Sequence, residues 1–162
     1  MGDYGRLYGG ANEGTIRCMQ EMLSVAHLCF PNYTEACLLT GAEYKQEGIS
    51  QKEAYEQVDK LRTIGSHSIL ITSCVVEGNH AVVGYNHSTE EYFCLNYEEI
   101  PVQFPGTGDI FSSIIEGRLM DGDNLKHATR VAMDTLRHWI DINKDDEDIN
   151  RGIPIERHLA DL

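Results

Sequence analysis

Apolar positions recur along the chain with two different periods, and these periods predict alternating helices and strands. Spacings of three and four residues predict amphipathic helices over 11–26, 50–64, 109–119 and 125–140. Short apolar runs predict buried strands over 26–30 and 67–73, and a later pair predicts an antiparallel hairpin with strand cores at 81–85 and 92–95. This alternation of strands with helices indicates an α/β fold whose sheet is mostly parallel.

The stretch Gly106-Thr107-Gly108-Asp109 joins a glycine turn to the apolar helix that follows it. Glycine permits backbone angles that other residues avoid, and the free N–H groups of a first helical turn bind anions, most often phosphate. Asp109 beside such an anion has two interpretations. It either caps the helix, or it takes the proton from a hydroxyl group that attacks the phosphate. These four residues alone favour the cap.

Two further polar pairs lie where predicted strands end. Asn32 and Glu35 lie at the start of a brief helix, the position at which ligand groups gather in open α/β sheets. Their spacing also fits a capping box in which Glu35 bonds back to Asn32, and the local sequence favours that alternative. Thr72 and Ser73 end the predicted strand, where their hydroxyl groups are available to phosphate oxygens.

Val102 and Phe104 are apolar residues on the loop that leads into the glycine turn. Two interpretations are open for them. They are either ordinary core residues, or they form one wall of a pocket for a flat base.

The composition limits the partners that the chain can bind. Lys and Arg number 13 against 26 Asp and Glu, and the resulting net charge of -13 argues against a nucleic-acid surface. A polyphosphate ligand would therefore need helix N-termini and above all a divalent cation to offset this charge. The length of 162 residues suits a single domain over 1–162.

The cysteine content and the hydropathy pattern indicate where the protein works. Five cysteines, an odd number without CxxC spacing, indicate neither a disulfide framework nor a zinc site, and they fit the reducing cytoplasm. The apolar runs are too short to cross a membrane. We therefore expect a cytoplasmic protein without a membrane partner.

Five segments in the same order resemble the pyridoxal kinase branch of the ribokinase-like superfamily. They are 1–8, 31–36, 71–73, 106–109 and 152–156. The resemblance implies the C-terminal part of a ribokinase-like three-layer α/β/α fold, with an antiparallel hairpin at one side of a mostly parallel sheet. Phosphomethylpyrimidine kinases are similar but usually carry Cys at the position of Asp109, which favours a vitamin B6 kinase.

The resemblance also implies a role for each site residue. Asp109 matches the family's catalytic base, and its glycine turn matches the anion hole that stabilises the transferring phosphoryl group. Asn32 and Glu35 match the motif that organises Mg²⁺ through water. The resemblance also implies ATP and Mg²⁺ as cofactors, with a monovalent cation as a further candidate. The remaining residues match the ATP site, and they are Asp3, Thr72, Ser73, Val102 and Phe104. The implied reaction is ATP-dependent phosphorylation of the hydroxymethyl group of pyridoxal, pyridoxamine or pyridoxine by a homodimeric enzyme.

One departure from the family bears on activity. The resemblance implies that the chain begins inside one of the family's motifs and that the family's N-terminal half, which supplies most contacts to the pyridoxal ring, is not part of it. We therefore expect this chain to carry the nucleotide side of the site and to lack much of the substrate side. Two alternatives follow: a non-catalytic nucleotide-binding or dimerising fragment, and a kinase for another small hydroxymethyl compound such as hydroxymethylpyrimidine.

Overall fold

A computed structural model describes residues 1–146 and 148–159, which divide into two units at Glu98. The first unit spans Met1–Glu98 and contains every strand found in the described residues. The second unit begins at Glu99 and is helical. The assignment of 1–162 to a single domain stays a prediction. No helix in the described part of the chain combines the length and the apolar character needed to span a membrane.

A four-stranded mixed sheet forms the centre of the first unit. Its strands, in spatial order, are β3 (Leu28–Cys29), β4 (Ser68–Val76), β5 (Asn79–Asn86) and β6 (Glu91–Asn96). β3 is parallel to β4, whereas β4 with β5 and β5 with β6 are antiparallel. The α/β class and the hairpin are confirmed. The sheet is mixed rather than mostly parallel within the described residues, because short turns join β4 to β5 and β5 to β6, and such turns permit only antiparallel pairing.

Two very short strands precede this sheet along the chain. β1 (Gly2–Asp3) and β2 (Arg6–Leu7) form an antiparallel pair. Tyr4 and Gly5, with φ of 48° and 75°, make the two-residue turn between them.

Three capped helices complete the first unit: α1 (Glu13–Leu23), α2 (Tyr33–Thr40) and α3 (Gln51–Ile64). Asn12, Asn32 and Ser50 cap their N-termini, each as part of a capping box. The prediction of a helix over 11–26 is therefore wrong at both ends. Its C-terminal end lies at Leu23 because the chain must turn there to enter β3.

The core of the first unit lies between the sheet and the helices that contact it. α3 packs on β4 and β5, and α2 packs on α3. Val58 and Leu61 of α3 are fully buried with Ile69, Ile71 and Val83 of the sheet, all 0–1% exposed. The helix predicted over 50–64 is confirmed, and it presents its apolar side to this core.

The second unit is built on two helices that pack together, α4 (Thr107–Met120) and α5 (Leu125–Asn143). Asn124 caps α5, and Trp139 is its largest buried side chain at 0% exposure. Two turns of 3-10 helix follow, over Ile149–Arg151 and Ile155–Arg157. The tail docks on this unit through buried residues, since Ile153 is 6% exposed and His158 9%.

Candidate functional site

The glycine turn leads directly into an open helix N-terminus. Gly106 is the N-cap of α4 with φ of 82°, which a residue with a side chain rarely adopts. The first hydrogen bond of the helix runs from the Ile110 amide to the Gly106 carbonyl at 3.0 Å. The amides of Thr107, Gly108 and Asp109 precede this bond and therefore lie free at the helix end. Free amides at the start of a helix, together with the helix dipole, are groups that favour an anion.

The two glycines of this turn are uncrowded. A Cβ atom built on Gly106 or Gly108 would meet no heavy atom within 4 Å. Thr107 is fixed by its hydroxyl group, which donates to the Phe104 carbonyl at 3.3 Å. No neighbouring side chain therefore crowds either glycine of the turn.

Asp109 is the third residue of α4 and is exposed. No side chain caps this helix, so the interpretation of Asp109 as a side-chain cap is wrong. Only the backbone carbonyl of Asp109 is used locally, since it accepts hydrogen bonds from the hydroxyl groups of Ser112 at 3.0 Å and Ser113 at 2.8 Å. Its carboxylate is thus available to a group that approaches the helix end from solvent.

Asn32 and Glu35 form the capping box that their spacing indicates. The Asn32 Oδ1 atom accepts from the Glu35 amide at 2.8 Å, and Glu35 Oε2 accepts from the Asn32 amide at 3.1 Å. Asn32 Nδ2 also donates to the Gly2 carbonyl at 2.9 Å, and Glu35 Oε1 lies 2.6 Å from the Met1 ammonium. The start of α2 is therefore bonded to β1, which carries Asp3.

The same residues bear on a metal site. No group of three or more His, Cys, Asp or Glu side chains within 1–146 and 148–159 is arranged to hold a metal ion. The Asn32 and Glu35 oxygens already accept hydrogen bonds, but each keeps a lone pair for a further donor. This donor set fits contact with a metal through bound water rather than direct ligation.

Thr72 and Ser73 lie in a β-bulge inside β4. Ile71 is opposite Val83 and Cys74 is opposite Ala81, so two residues of β4 stand against one residue of β5. Ser73 is exposed with φ of 56°, and Thr72 is half-buried. Their prediction at the end of the strand is wrong, because β4 continues to Val76 in its pairing with β5.

The bulge nevertheless brings Thr72 to the start of α2. The Thr72 amide donates to the Pro31 carbonyl at 3.0 Å, and Thr72 forms an isolated parallel bridge with Asn32. Parallel pairing with the segment after β3 therefore ends at Thr72. Asp3, Asn32, Glu35, Thr72 and Ser73 thus form one neighbourhood of the first unit.

Val102 and Phe104 differ in exposure. Phe104 is 4% exposed, which favours its interpretation as a core residue. Val102 is half-buried, and its amide donates to the Ile100 carbonyl at 2.7 Å. Of the two, only Val102 presents apolar surface on which a flat base can lie.

One contact near the glycine turn was not predicted. A Cβ atom built on Gly152 would lie 3.0 Å from the Pro105 carbonyl oxygen, so the docked tail comes very close to the residue before Gly106. Gly152 also has φ of 78°, a conformation that the neighbouring residues in the sequence do not indicate. The sequence therefore carried no signal for this contact beyond the glycine itself.

Comparisons with known proteins agree with this fold and with these motifs. The chain is 30% identical over 153 residues to a pyridoxal kinase of Arabidopsis thaliana. This match covers 90% of this chain and 47% of the plant protein. The chain is also 25% identical over 146 residues to a hydroxymethylpyrimidine/phosphomethylpyrimidine kinase of Aquifex aeolicus. That match covers 90% of this chain and 54% of the bacterial protein.

A solved structure extends the likeness to the whole described fold. A phosphomethylpyrimidine kinase homologue from Bacteroides thetaiotaomicron, crystallised with pyridoxal, superposes with a TM-score of 0.89 at 32% identity. The match covers 99% of this chain and 57% of the homologue. The chain thus spans about half the length of the curated relatives it matches. The ribokinase-like α/β fold implied by the motifs is confirmed.

The family model described as phosphomethylpyrimidine kinase matches residues 10–153. This match includes three of the five sequence motifs in full, among them the turn at Gly106, and the first two residues of the motif at 152–156. The resemblance to pyridoxal kinases is confirmed by the plant relative. Because the match extends over most of the chain, the protein belongs to the phosphomethylpyrimidine kinase family.

Proposed function

We propose that this chain carries the nucleotide and proton-transfer groups of an ATP-dependent kinase that phosphorylates the hydroxymethyl group of a vitamin B6 vitamer. The observation that carries the proposal is the open N-terminus of α4, where free backbone amides lie next to the exposed, uncapped carboxylate of Asp109. An anion site binds the transferring phosphate, and an adjacent carboxylate accepts a proton. Phosphoryl transfer to an alcohol needs both groups.

The proposed reaction is a single in-line displacement. The hydroxyl oxygen of the substrate attacks the γ-phosphorus of ATP, the bond from that phosphorus to the β,γ-bridging oxygen breaks, and ADP leaves. Asp109 accepts the hydroxyl proton, and the amides of Gly106, Thr107 and Gly108 stabilise the charge on the phosphoryl oxygens. In this proposal Asp109 is therefore the catalytic base that the family resemblance implies, and not the helix cap that Gly106 to Asp109 alone favour.

The polar neighbourhood of the first unit supplies the other phosphate contacts in this proposal. The hydroxyl groups of Thr72 and Ser73 would bind phosphate oxygens, and Asp3 would lie near Mg²⁺ and the terminal phosphate. Mg²⁺, when bound, neutralises phosphate charge and draws electrons from the γ-phosphorus. Asn32 and Glu35 would hold it through water, which fits their engaged but unsaturated oxygens.

The nucleotide base is expected against Val102 and Phe104. Phe104 is buried and presents little surface for stacking, so Val102 would supply the exposed part of this wall. We also expect the protein to be a homodimer in the cytoplasm. We further propose that its kinase activity uses a monovalent cation in addition to Mg²⁺.

The relatives favour vitamin B6 as the substrate class. The plant relative is named a pyridoxal kinase, and the Bacteroides homologue was crystallised with pyridoxal. A second candidate is hydroxymethylpyrimidine, because the Aquifex relative is named for that substrate and for its phosphate. A third candidate is a non-catalytic nucleotide-binding fragment, since the chain spans about half of its curated relatives.

Binding and turnover experiments on the purified chain separate these candidates. Calorimetry with MgATP tests the nucleotide site, and phosphate transfer from labelled ATP to pyridoxal, pyridoxine, pyridoxamine and hydroxymethylpyrimidine tests the substrate. We expect MgATP binding and preferential labelling of a B6 vitamer. Binding without transfer to any of these alcohols would support the non-catalytic candidate, and absence of MgATP binding would refute the nucleotide site.

The role of Asp109 is tested by Asp109→Asn with Glu116→Gln as its matched control. Both residues are exposed carboxylates on α4, but only Asp109 lies in the first turn. Loss of a general base lowers turnover by about 10²–10⁴-fold, and we expect this for Asp109→Asn with MgATP affinity retained. Turnover of Asp109→Asn equal to that of Glu116→Gln would contradict the assignment.

A further inference from the structure

The tail that follows α5 packs against the glycine turn. Gly152, between the two 3-10 turns, has φ of 78° and ψ of -179°. A side chain at this position would place its Cβ atom 3.0 Å from the Pro105 carbonyl oxygen, a separation that real Cβ atoms rarely show. The backbone of the tail therefore lies in close contact with Pro105, whose carbonyl immediately precedes the N-cap Gly106.

The tail is fixed by contacts on both sides of Gly152. The Gly152 amide donates to the Ile149 carbonyl at 3.1 Å, and the next residue, Ile153, is buried. Further along, the His158 ring stacks on Trp139 with ring centroids 5.4 Å apart and an interplanar angle of 28°. These contacts hold the tail on the second unit as an ordered segment.

His158 also contacts the end of α5 through a polar atom. The Asn143 Nδ2 atom lies 3.0 Å from His158 Nε2, and Asn143 Nδ2 also donates to the Trp139 carbonyl at 2.7 Å. All three side chains are buried, at 0% to 9% exposure. Buried polar contacts of this kind are costly to lose, because each group that is left without a partner stays desolvated.

The glycine turn needs support from outside the helix. Its N-cap has no side chain, and no side-chain cap bond fixes the first turn of α4. The amides of this turn bind an anion only if Gly106 keeps its left-handed conformation and they stay convergent. The Pro105 side of the turn is where the tail makes contact.

We propose that Gly152 is a positioning residue, through which the docked tail holds Pro105 and Gly106 in the conformation that presents the first amides of α4 to phosphate. This inference rests on the proposed function for its ligand. The alternative is that the tail only covers the core of the second unit through Ile153 and His158.

Gly152→Ala and Gly122→Ala form a matched pair that distinguishes these alternatives. Both glycines belong to the second unit and have positive φ, 78° and 96°, so alanine strains the backbone at each. Only Gly152 has a neighbour in the way, since a Cβ atom at Gly122 would meet nothing within 4 Å. A difference in the glycine turn between the two variants, after correction for their measured losses of stability, therefore reports on the contact with Pro105.

The first measurement is hydrogen exchange at the Ile110 amide, which bonds to the Gly106 carbonyl at 3.0 Å. Each protein is measured at the same interval below its own melting temperature. Under these conditions we expect the Ile110 amide to exchange about tenfold faster in Gly152→Ala than in the wild type, and at close to the wild-type rate in Gly122→Ala. Equal exchange in the two variants would overturn the inference. This measurement requires no ligand, so it decides the inference even if MgATP fails to bind and the proposed function falls.

The second measurement is MgATP affinity by calorimetry. We expect Gly152→Ala to weaken binding by about tenfold, within the usual range for coupling between two sites, and Gly122→Ala to leave it unchanged. Equal weakening in both variants would show general destabilisation and would overturn the positioning role.

A third variant releases the tail without adding an atom at Gly152. In His158→Ala we expect a red shift of Trp139 emission, which reports tail release because Trp139 is the one tryptophan in the sequence, together with faster exchange at Ile110. His138→Ala is the control, since His138 is exposed on α5. A shifted emission with unchanged exchange at Ile110 would overturn the inference.

Discussion

The guanidinium group of Arg62 lies over the ring of Tyr85, with its central carbon 3.6 Å from the ring centroid. The same guanidinium donates to Asp59 at 2.9 Å and to the Tyr92 hydroxyl group at 3.0 Å. Tyr85 and Tyr92 also contact each other, with ring centroids 4.8 Å apart. Arg62 therefore joins the C-terminal part of α3 to β5 and β6 by one planar group.

Replacement of Arg62 should destabilise the first unit. An exposed cation–π contact contributes about 0.5–1 kcal/mol, and hydrogen bonds to charged groups contribute more than neutral ones. We expect Arg62→Ala to lower the free energy of unfolding by about 1–2 kcal/mol, and Arg62→Lys to recover only part of it, because an ammonium lacks the planar fork. Urea denaturation measures this change. Lys60→Ala, an exposed site on the same helix, is the control, and an equal loss there would contradict the prediction.

Local signals in the sequence were sufficient for α2 and α3. The residues that cap their N-termini and the glycines that end them are recognised from their neighbours alone, and Gly41 has the left-handed φ of 70° expected after a helix. The end of β4 was misplaced for a physical reason. Thr72 and Ser73 look like a strand end, whereas the hairpin turn is formed by Glu77 and Gly78, with φ of 50° and 81°.

The candidate site was predictable in its parts but not in its arrangement. Gly78 marks the turn between β4 and β5, but glutamate is uncommon at a left-handed turn position, so the sequence does not show that Glu77 forms the turn with it. The bulge and the bridge from Thr72 to Asn32 depend on pairing between distant segments. Similarly, four residues around Asp109 cannot show which way a carboxylate faces, and its interpretation as a cap failed because Gly106 occupies the cap position.

Gly84 lies under an aromatic ring, so alanine should not fit there. A Cβ atom at Gly84 would be 2.3 Å from Phe93 Cζ and 2.7 Å from Leu70 Cδ2, and both side chains are buried. Overpacking of this kind costs about 1–3 kcal/mol, and we expect that loss in the free energy of unfolding of Gly84→Ala.

Gly117 provides the opposite case for comparison with Gly84. It lies inside α4, and a Cβ atom there would meet nothing within 4 Å. Alanine inside a helix is more favourable than glycine by about 0.5–1 kcal/mol, so Gly117→Ala should raise stability. Thermal and urea denaturation measure both variants, and a stabilised Gly84→Ala would show that the packing around Phe93 is not tight.

The five thiol groups should react at very different rates. Cys18 is exposed, whereas burial raises the pKa of Cys29 to about 11 and also raises those of Cys37, Cys74 and Cys94. Only thiolates react with Ellman's reagent, so we expect one fast equivalent at pH 8 in the native protein and all five after unfolding in urea.

Two variants assign the fast thiol. Cys18→Ser should abolish the fast phase, and Cys94→Ser, which changes a half-buried residue of β6, should leave it intact. Two or more fast equivalents in the wild type would mean that the first unit opens more readily than its burial indicates.

Glu53 should make the stability of α3 depend on acid pH. A hydrogen bond from Lys45 Nζ at 2.6 Å and bonds from the Ser50 amide and hydroxyl group lower the pKa of Glu53 from 4.5 to about 2. Because this pKa is lower in the folded than in the unfolded chain, the unfolded chain binds the proton first as pH falls. The stabilisation is therefore complete above about pH 4.5 and is lost between pH 4.5 and about pH 2.

The melting temperatures of Glu53→Gln and the wild type across this pH range test whether the stabilisation by Glu53 is lost as pH falls. Glu53→Gln should melt below the wild type at pH 7, and the difference should shrink as pH falls from 4.5 towards 2. Glu56→Gln is the matched control, because Glu56 lies on the same helix with one long ion pair to Lys52 at 3.7 Å. A melting difference for Glu53→Gln that stays constant down to pH 2, or that grows, would mean that the bonds from Lys45 and Ser50 do not form in solution.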